Sequence, residues 1–460
     1  MRNQALLLAP LLAAAAVTSG CPGNNPSLPP LYQGGWSWNP SASGDRPVPV
    51  IWTGSSPAPQ ALGFLPGDCS GSVQALAVNA GQPVPVGISV MCSEDSPPRP
   101  ERMLPVVWTG TTPAQLPLRL TTVPAETQGT ALAVSLFTFK DSAGKTTTDV
   151  YVAGATGILS PIPAVWKNGV LTRLVKADLL PPGFDAGLIT AIASTDLFVV
   201  ASGLVHVTGG GPSNLSAMIW VFDPDLEFVD TTPLFSLLGD VGPALAMFLD
   251  TDQTVWSTAA ISLGSDPSVP AYWKNEALDT LGGSDFSTGP FGVPTDISVV
   301  GVTPYATGYA ISPQLRMVPR PSPIIWAGDI RADLSTADPG IGIGAGEAIG
   351  IISSWALVAG ETVGTDPTSS SRLLSVPAVW NNGARQDLQP LVAPGTGPTT
   401  VVSLPLFGWW RVPATDPLAL PPPDPDWPYP GGSAAVFGSV PITAAGSGVA
   451  RAMAADLPPP

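Results

Sequence analysis

Basic chemistry is scarce in this chain. Of 460 residues one is histidine, three are cysteine and 18 are lysine or arginine, against 34 aspartate or glutamate. Charged residues total 11%, where an ordinary soluble domain has roughly 25%. A net charge of −16 without any Lys/Arg cluster excludes nucleic acid as a partner, because phosphates need clustered cations. One histidine leaves little room for Ser-His-Asp or Cys-His nucleophilic catalysis. His206 lies in GLVHVTGGG among apolar neighbours, which suits a structural or surface role. The familiar zinc ligand sets are excluded for the same reason, so no metal is expected. The Gly-rich stretch 340–350 has no βαβ unit around it, and no cofactor is expected.

Long apolar runs are also missing. Past residue 20 no 18-residue stretch is free of charge and turn residues, and the most apolar, 340–360, carries Glu347 among glycines. Residues 1–20 read as a signal peptide, with Arg2 followed by a short apolar stretch over 5–17. It ends in Thr18-Ser19-Gly20-Cys21, similar to a bacterial lipobox, so Cys21 is the expected lipidation site and 21–30 a tether. That address implies export and lipid anchoring in the cell envelope, with the outer membrane expected and contact with membrane only through the lipid. Cys69 and Cys92 lie equally far from the turn between Ala80 and Gly81. An in-register hairpin would set them opposite each other, and in an oxidising compartment they are expected to form a disulfide worth roughly 3 kcal/mol.

What the chain has in abundance is a repeat. A short apolar strand carries Trp52, Trp108, Trp166, Trp220, Trp273, Trp326 and Trp380, followed by a degenerate copy at Phe437, at intervals of 53–58 residues. The fullest copies are PAVWKNG at 163–169 and PAVWNNG at 377–383. Asn-Gly and Thr-Gly accept the positive φ of tight hairpin turns. Eight residues after the Trp stands Leu116, Leu174, Phe228, Leu281, Leu334 or Leu388, with Leu62 as the substitute in the first copy. Between these hairpins run Ala-rich strands such as VQALAV (73–78) and EAIGII (347–352), suited to a crowded axis. The 49 glycines and 56 prolines are therefore turn residues of an all-β protein.

The pattern predicts a β-propeller over 31–457. Eight four-stranded antiparallel blades are expected, seven being the alternative, with GVARAMAADL near the C-terminus closing the ring beside LYQGG at 31–35. The DVYVAG…PAVWKNG unit resembles those of exported bacterial lipoproteins of uncharacterised function, and is distantly similar to HAF-type repeats. The resemblance implies fold and export and assigns no catalytic residue.

For function, the expectation is a monomeric, non-enzymatic scaffold binding an envelope protein or glycan. The largest departure from the repeat, the Pro-rich insertion 413–432, offers Trp427 and Tyr429 as contact residues, with Trp410 beside it. The alternatives are a carboxylate-pair glycoside hydrolase and an envelope-assembly scaffold. The carboxylate pairs visible by spacing are Asp223/Asp225, Asp250/Asp252 and Asp424/Asp426, each in a turn where Asp serves its own backbone.

Overall fold

The computed structural model describes residues 30–455 with interruptions, the longer ones at 40–45, 93–99, 119–127, 175–181, 208–214, 263–268, 283–290, 312–320, 391–400 and 409–434. Every regular element among the described residues is a β-strand, and neighbouring strands pair antiparallel. Seven sheets are blades of a propeller, each running from an innermost strand outward. Blade 1 joins Gly448–Ala455 to Leu31–Asn39, Arg46–Thr53 and Ser56–Ala61. Blade 2 is Asp68–Asn79, Gln82–Cys92, Pro100–Thr109 and Thr112–Gln115. Blade 3 is Gly129–Lys140, Thr146–Thr156, Ile162–Lys167 and Val170–Leu174. Blade 4 is Phe184–Ser194, Val199–Val207, Leu215–Phe222 and Phe228–Leu234.

In blade 5 the innermost strand is split into Asp240–Val241 and Met247–Leu249, before Val255–Ser262, Val269–Lys274 and Ala277–Thr280. Blade 6 is Phe291–Val300, Thr303–Ile311, Pro321–Ala327 and Ile330–Asp333. Blade 7 is Gly344–Ile352, Trp355–Asp366, Ser369–Asn381 and Ala384–Asp387.

The seven tryptophans lie on the third strands and are 0–2% exposed. Each packs against the neighbouring blade, as Trp166 does with Leu116 and Trp108 with Leu62. The indole N–H fixes the spacing. Trp108 donates to Gly63 O, Trp166 to Pro117 O and Trp380 to Ser335 O, each one residue past the outer leucine of the preceding blade. Trp220, Trp273 and Trp326 have no partner for this group among the described residues. In six blades the residue two past the Trp is Asn or Gly at positive φ, from 46° at Asn382 to 59° at Gly110. The asparagines also use their side chains: Asn168, Asn275 and Asn382 accept, through Oδ1, the backbone N–H of Val150, Val255 and Ala356.

Two expectations are corrected. The ring has seven blades, not eight. Trp52 of blade 1 donates to Gln389 O, one residue past Leu388 of blade 7, with the same contact that joins the other neighbours. The segment around Phe437 instead forms a separate two-stranded sheet, Val401–Gly408 with Ala435–Thr443. Counting repeats counted that hairpin, but its strands pair only with each other. In blade 4 the outer partner is Leu234 rather than Phe228: Leu234 pairs with Ala217 and packs with Trp273. Phe228 turns back onto Phe222. Closure itself follows the expected pairing, with Gly448–Ala455 running antiparallel to Leu31–Ser37.

Candidate active site at the ring axis

The innermost strands carry a feature that periodicity does not reveal. Six of them hold a one-residue bulge at the same level, and the inserted residues are Arg451, Gln74, Leu132, Thr190, Thr295 and Glu347 in blades 1, 2, 3, 4, 6 and 7. Each is half-buried and adjoins a buried residue on its own strand, for example Ala450 and Ala452 beside Arg451, or Ala131 and Ala133 beside Leu132. A bulge re-aims one side chain. In this ring it re-aims one side chain on the innermost strand of each of six blades.

The bulge needs glycine on the strand behind it. A Cβ at Gly87, Gly154, Gly203, Gly308 or Gly360 would run into the carbonyl oxygen of Ser72, Thr130, Leu188, Val293 or Ala345 on the innermost strand. The equivalent residue in blade 1 is Gly35.

Chemically the ring of inserted residues is lopsided. The hydroxyls of Thr190 and Thr295 are spent on backbone carbonyls, of Ser202 and of Thr307 and Gly346 respectively, and Leu132 is apolar. The reactive arc is Glu347, Arg451 and Gln74, on the consecutive blades 7, 1 and 2. Arg451 Nη1 donates to Gln74 Oε1 at 3.3 Å. Gln74 is held in turn by its own Nε2 on Ser72 Oγ at 2.5 Å.

Beside this arc, Glu361 on the second strand of blade 7 is buried in the seam with blade 1 and accepts the Ser375 hydroxyl at 2.8 Å. Ser375 N donates to Ser447 Oγ, and the Ser447 carbonyl accepts from Ser37 Oγ and Trp38 N. Burial raises the Glu361 carboxyl to about 7, and the charge of Glu347 adds to the rise, while Ser375 and Arg451 pull it down. Burial also raises Glu347, opposed by Arg451. A third buried acid, Asp296 in blade 6, is raised by burial to about 7. It accepts backbone N–H groups of Ile297 and Ile349, so it ties blade 6 to blade 7.

Of the acid pairs suggested by spacing, the two among the described residues do not reach this place. Asp223 Oδ1 accepts from the backbone of Asp225 and Glu227, and Asp225 is an exposed partner of Lys167 at 3.0 Å. Asp252 holds its turn through Thr254 N. Asp424 and Asp426 lie outside the described residues, as do Cys21, Trp410, Trp427 and Tyr429.

Cys69 and Cys92 sit on paired strands, but bulges at 68–70 and 73–75 shift the register from that of the turn. Cys69 falls within the first of these bulges, next to the Asp68–Met91 pair, and so not directly across from Cys92. His206 ends the second strand of blade 4, opposite Leu215. Among the described residues no group of three His, Cys, Asp or Glu side chains could hold a metal ion.

The sequence does contain the signal for this site. Aligning the innermost strands on their small residues stacks Arg451, Gln74, Leu132, Thr190, Thr295 and Glu347 in one column, where a charge inside an apolar strand stands out. Glu361, in ALVAGE, falls where no other blade has an acid.

No protein-family model matches the chain, and no curated protein matches it. Among solved structures it is similar to a protein of unknown function from Dyadobacter fermentans, 11% identical over 68% of this chain and 86% of that one, TM-score 0.35. It is also similar to an α-L-arabinanase of Cellvibrio cellulosa complexed with arabinohexaose, 10% identical over 55% of this chain and 94% of that one, TM-score 0.29. A third is the Bombyx mori GH32 β-fructofuranosidase, 9% identical over 73% and 76%, TM-score 0.28. These values are too low to assign a role to any residue of this chain. The expectation of a non-enzymatic chain is nevertheless corrected. Two acids, Glu347 and Glu361, meet beside the axis, where the charge of one raises the other, a pair that spacing alone did not suggest.

Proposed function

We propose that the chain is a carbohydrate-active enzyme, cleaving a glycosidic bond at the axis with Glu361 and Glu347. The observation that carries this reading is the pair beside the axis: burial raises Glu361 to about 7, the charge of Glu347 adds to the rise, and Arg451 opposes the rise of both. Two carboxyls at one site can divide the labour of glycoside hydrolysis, one as acid and one as nucleophile or base. Glu361 protonates the leaving-group oxygen. Glu347, whose ionised form Arg451 favours, attacks the anomeric carbon or activates water. The chemistry needs only carboxylates, which suits a chain with one histidine.

The test is release of reducing ends from a panel of plant, bacterial and animal polysaccharides. Wild type should release them from at least one polysaccharide, with a rate that falls as pH rises past about 7. Glu361→Gln and Glu347→Gln should each lower that rate by about two orders of magnitude or more. Activity retained in both variants, or none in wild type across the panel, would overturn the reading.

The proposal extends to location: an exported, lipid-anchored protein bearing lipid on Cys21 and a Cys69–Cys92 bridge. Intact and peptide mass spectrometry of exported material checks both modifications. The aromatic insertion with Trp410, Trp427 and Tyr429 would add glycan-stacking surface. Replacing Trp427 and Tyr429 by alanine should then raise KM with little change in melting temperature.

A further inference from the structure

The bulge on the last strand sets a cation where two ends of the chain meet. Arg451 belongs to the strand that closes blade 1, Glu347 to blade 7 and Gln74 to blade 2, so the arc is assembled only once the ring is shut. Among the six inserted residues Arg451 is the one cation. Its Nη1 is oriented by an amide oxygen that is itself fixed by Ser72, and the guanidinium stays half-buried on the innermost strand.

We infer that Arg451 and Gln74 form a subsite for the carboxylate of an acidic sugar, and that filling it tightens the closure of the ring. This deepens the reading of the axis as a glycan site and rests on it. A guanidinium held in place offers a planar fork that fits a carboxylate with two parallel hydrogen bonds, which a neutral hydroxymethyl group cannot match. The Gln74 amide supplies neutral hydrogen-bonding capacity beside it, as sugar hydroxyls require. Of the neighbouring acids, Glu361 holds its proton to about 7 and so does not oppose a sugar carboxylate below that pH. Coupling follows from linkage: a ligand held by the closing strand binds the shut ring and not the open one, and so stabilises the shut form.

The experiment compares D-glucuronate with D-glucose on the full chain at matched ionic strength. It reads the melting temperature and the amide exchange of residues 31–37 and 448–455. Glucuronate should raise the melting temperature and slow exchange in both segments, and glucose should do neither. Arg451→Met should abolish the response. Gln74→Leu, which keeps the cation, should weaken apparent affinity for glucuronate several-fold and so guards against a folding defect in the first variant. Equal responses to the two sugars, or a glucuronate response that survives Arg451→Met, would overturn the subsite. A melting shift without slowed exchange at 31–37 and 448–455 would overturn the coupling. Glu361→Gln separates this inference from the enzymatic reading, because it should lose hydrolysis and keep the glucuronate response. If wild type cleaves no polysaccharide while that response still depends on Arg451, the enzymatic reading fails and the subsite stands.

Discussion

Blades 3 and 5 are copies of one repeat that part at a small residue behind the innermost strand. Behind the innermost strand of blade 3 stands Gly154, paired with Ala164, and that strand runs unbroken over Gly129–Lys140. At the same position in blade 5 stands Ala259, paired with Ala271, and the innermost strand is split into pieces of two and three residues. The bulge drives a carbonyl toward the second strand. A hydrogen fits in that space and a methyl does not. Blade 5 makes up its lost ladder with hydroxyls: Thr258 Oγ1 accepts from Leu245 N and Ala246 N, and Ser257 Oγ donates to Ala246 O. Its pairing shifts by two residues, from Asp240–Ser262 to Met247–Ser257, where each single bulge of the other blades shifts it by one. The glycine therefore allows the bulge, and the bulge supplies the axial side chain.

The limiting case is a blade with no innermost strand. Deleting residues 448–460 should bare the edge of blade 1 and remove its pairing from Leu31 to Ser37. Differential scanning calorimetry should show a fall of many degrees, or loss of the cooperative transition. Next in size is the glycine. Gly154→Val should destabilise by about 3 kcal/mol or more, as overpacking against backbone that cannot yield. Ala259→Gly should change stability by less than about 1 kcal/mol, and denaturant titration of both variants checks the contrast.

A third test uses pH. Glu361 in the folded chain is raised from its ordinary 4.5 to about 7, so the folded state binds the proton more tightly than the unfolded state. Its contribution is fully present below about 4.5, is lost as pH rises to about 7, and is flat above. Between those limits wild type should lose up to about 3 kcal/mol more than Glu361→Gln, read as the difference between their stability–pH slopes. The smallest effect belongs to the hairpin. Asn168→Ala removes a side-chain bond to Val150 N and places alanine at φ 53°, for a cost of about 1–2 kcal/mol. Asn168→Gly should cost less, since Gly54, Gly110 and Gly328 already occupy that position in blades 1, 2 and 6.

Much of the ring was legible because its parts are local. Trp166, Asn168 and Gly169 sit within four residues of one another, and turn chemistry and packing act together on each copy. Closure was legible for the same reason, since a lone Ala-rich strand at one end matched a missing one at the other. The blade count was not, because it depends on which blade Trp52 meets, and only the bond to Gln389 answers that. Leu234 was missed because the turn through Asp223–Glu227 is longer than its counterparts, and a fixed interval of eight residues lands on Phe228. The carboxylate pair was hidden more deeply. Glu347 reaches the axis through a one-residue insertion, and Glu361 meets it from another strand. Hydrophobic period reports neither.

The hydrogen bond from Ser37 to Ser447 spans 410 residues of chain. Until the last strand arrives, the edge of Leu31–Asn39 has no partner on its inner side, however well the other blades have formed. During synthesis that edge is an open template, apt to recruit a stray strand from a second copy. The late, distant pairing also makes closure a slow step, since its entropy must be lost before any contact rewards it. A protein of this design is finished in a single act at the end of its making, and its quality can be judged by whether that one strand is home.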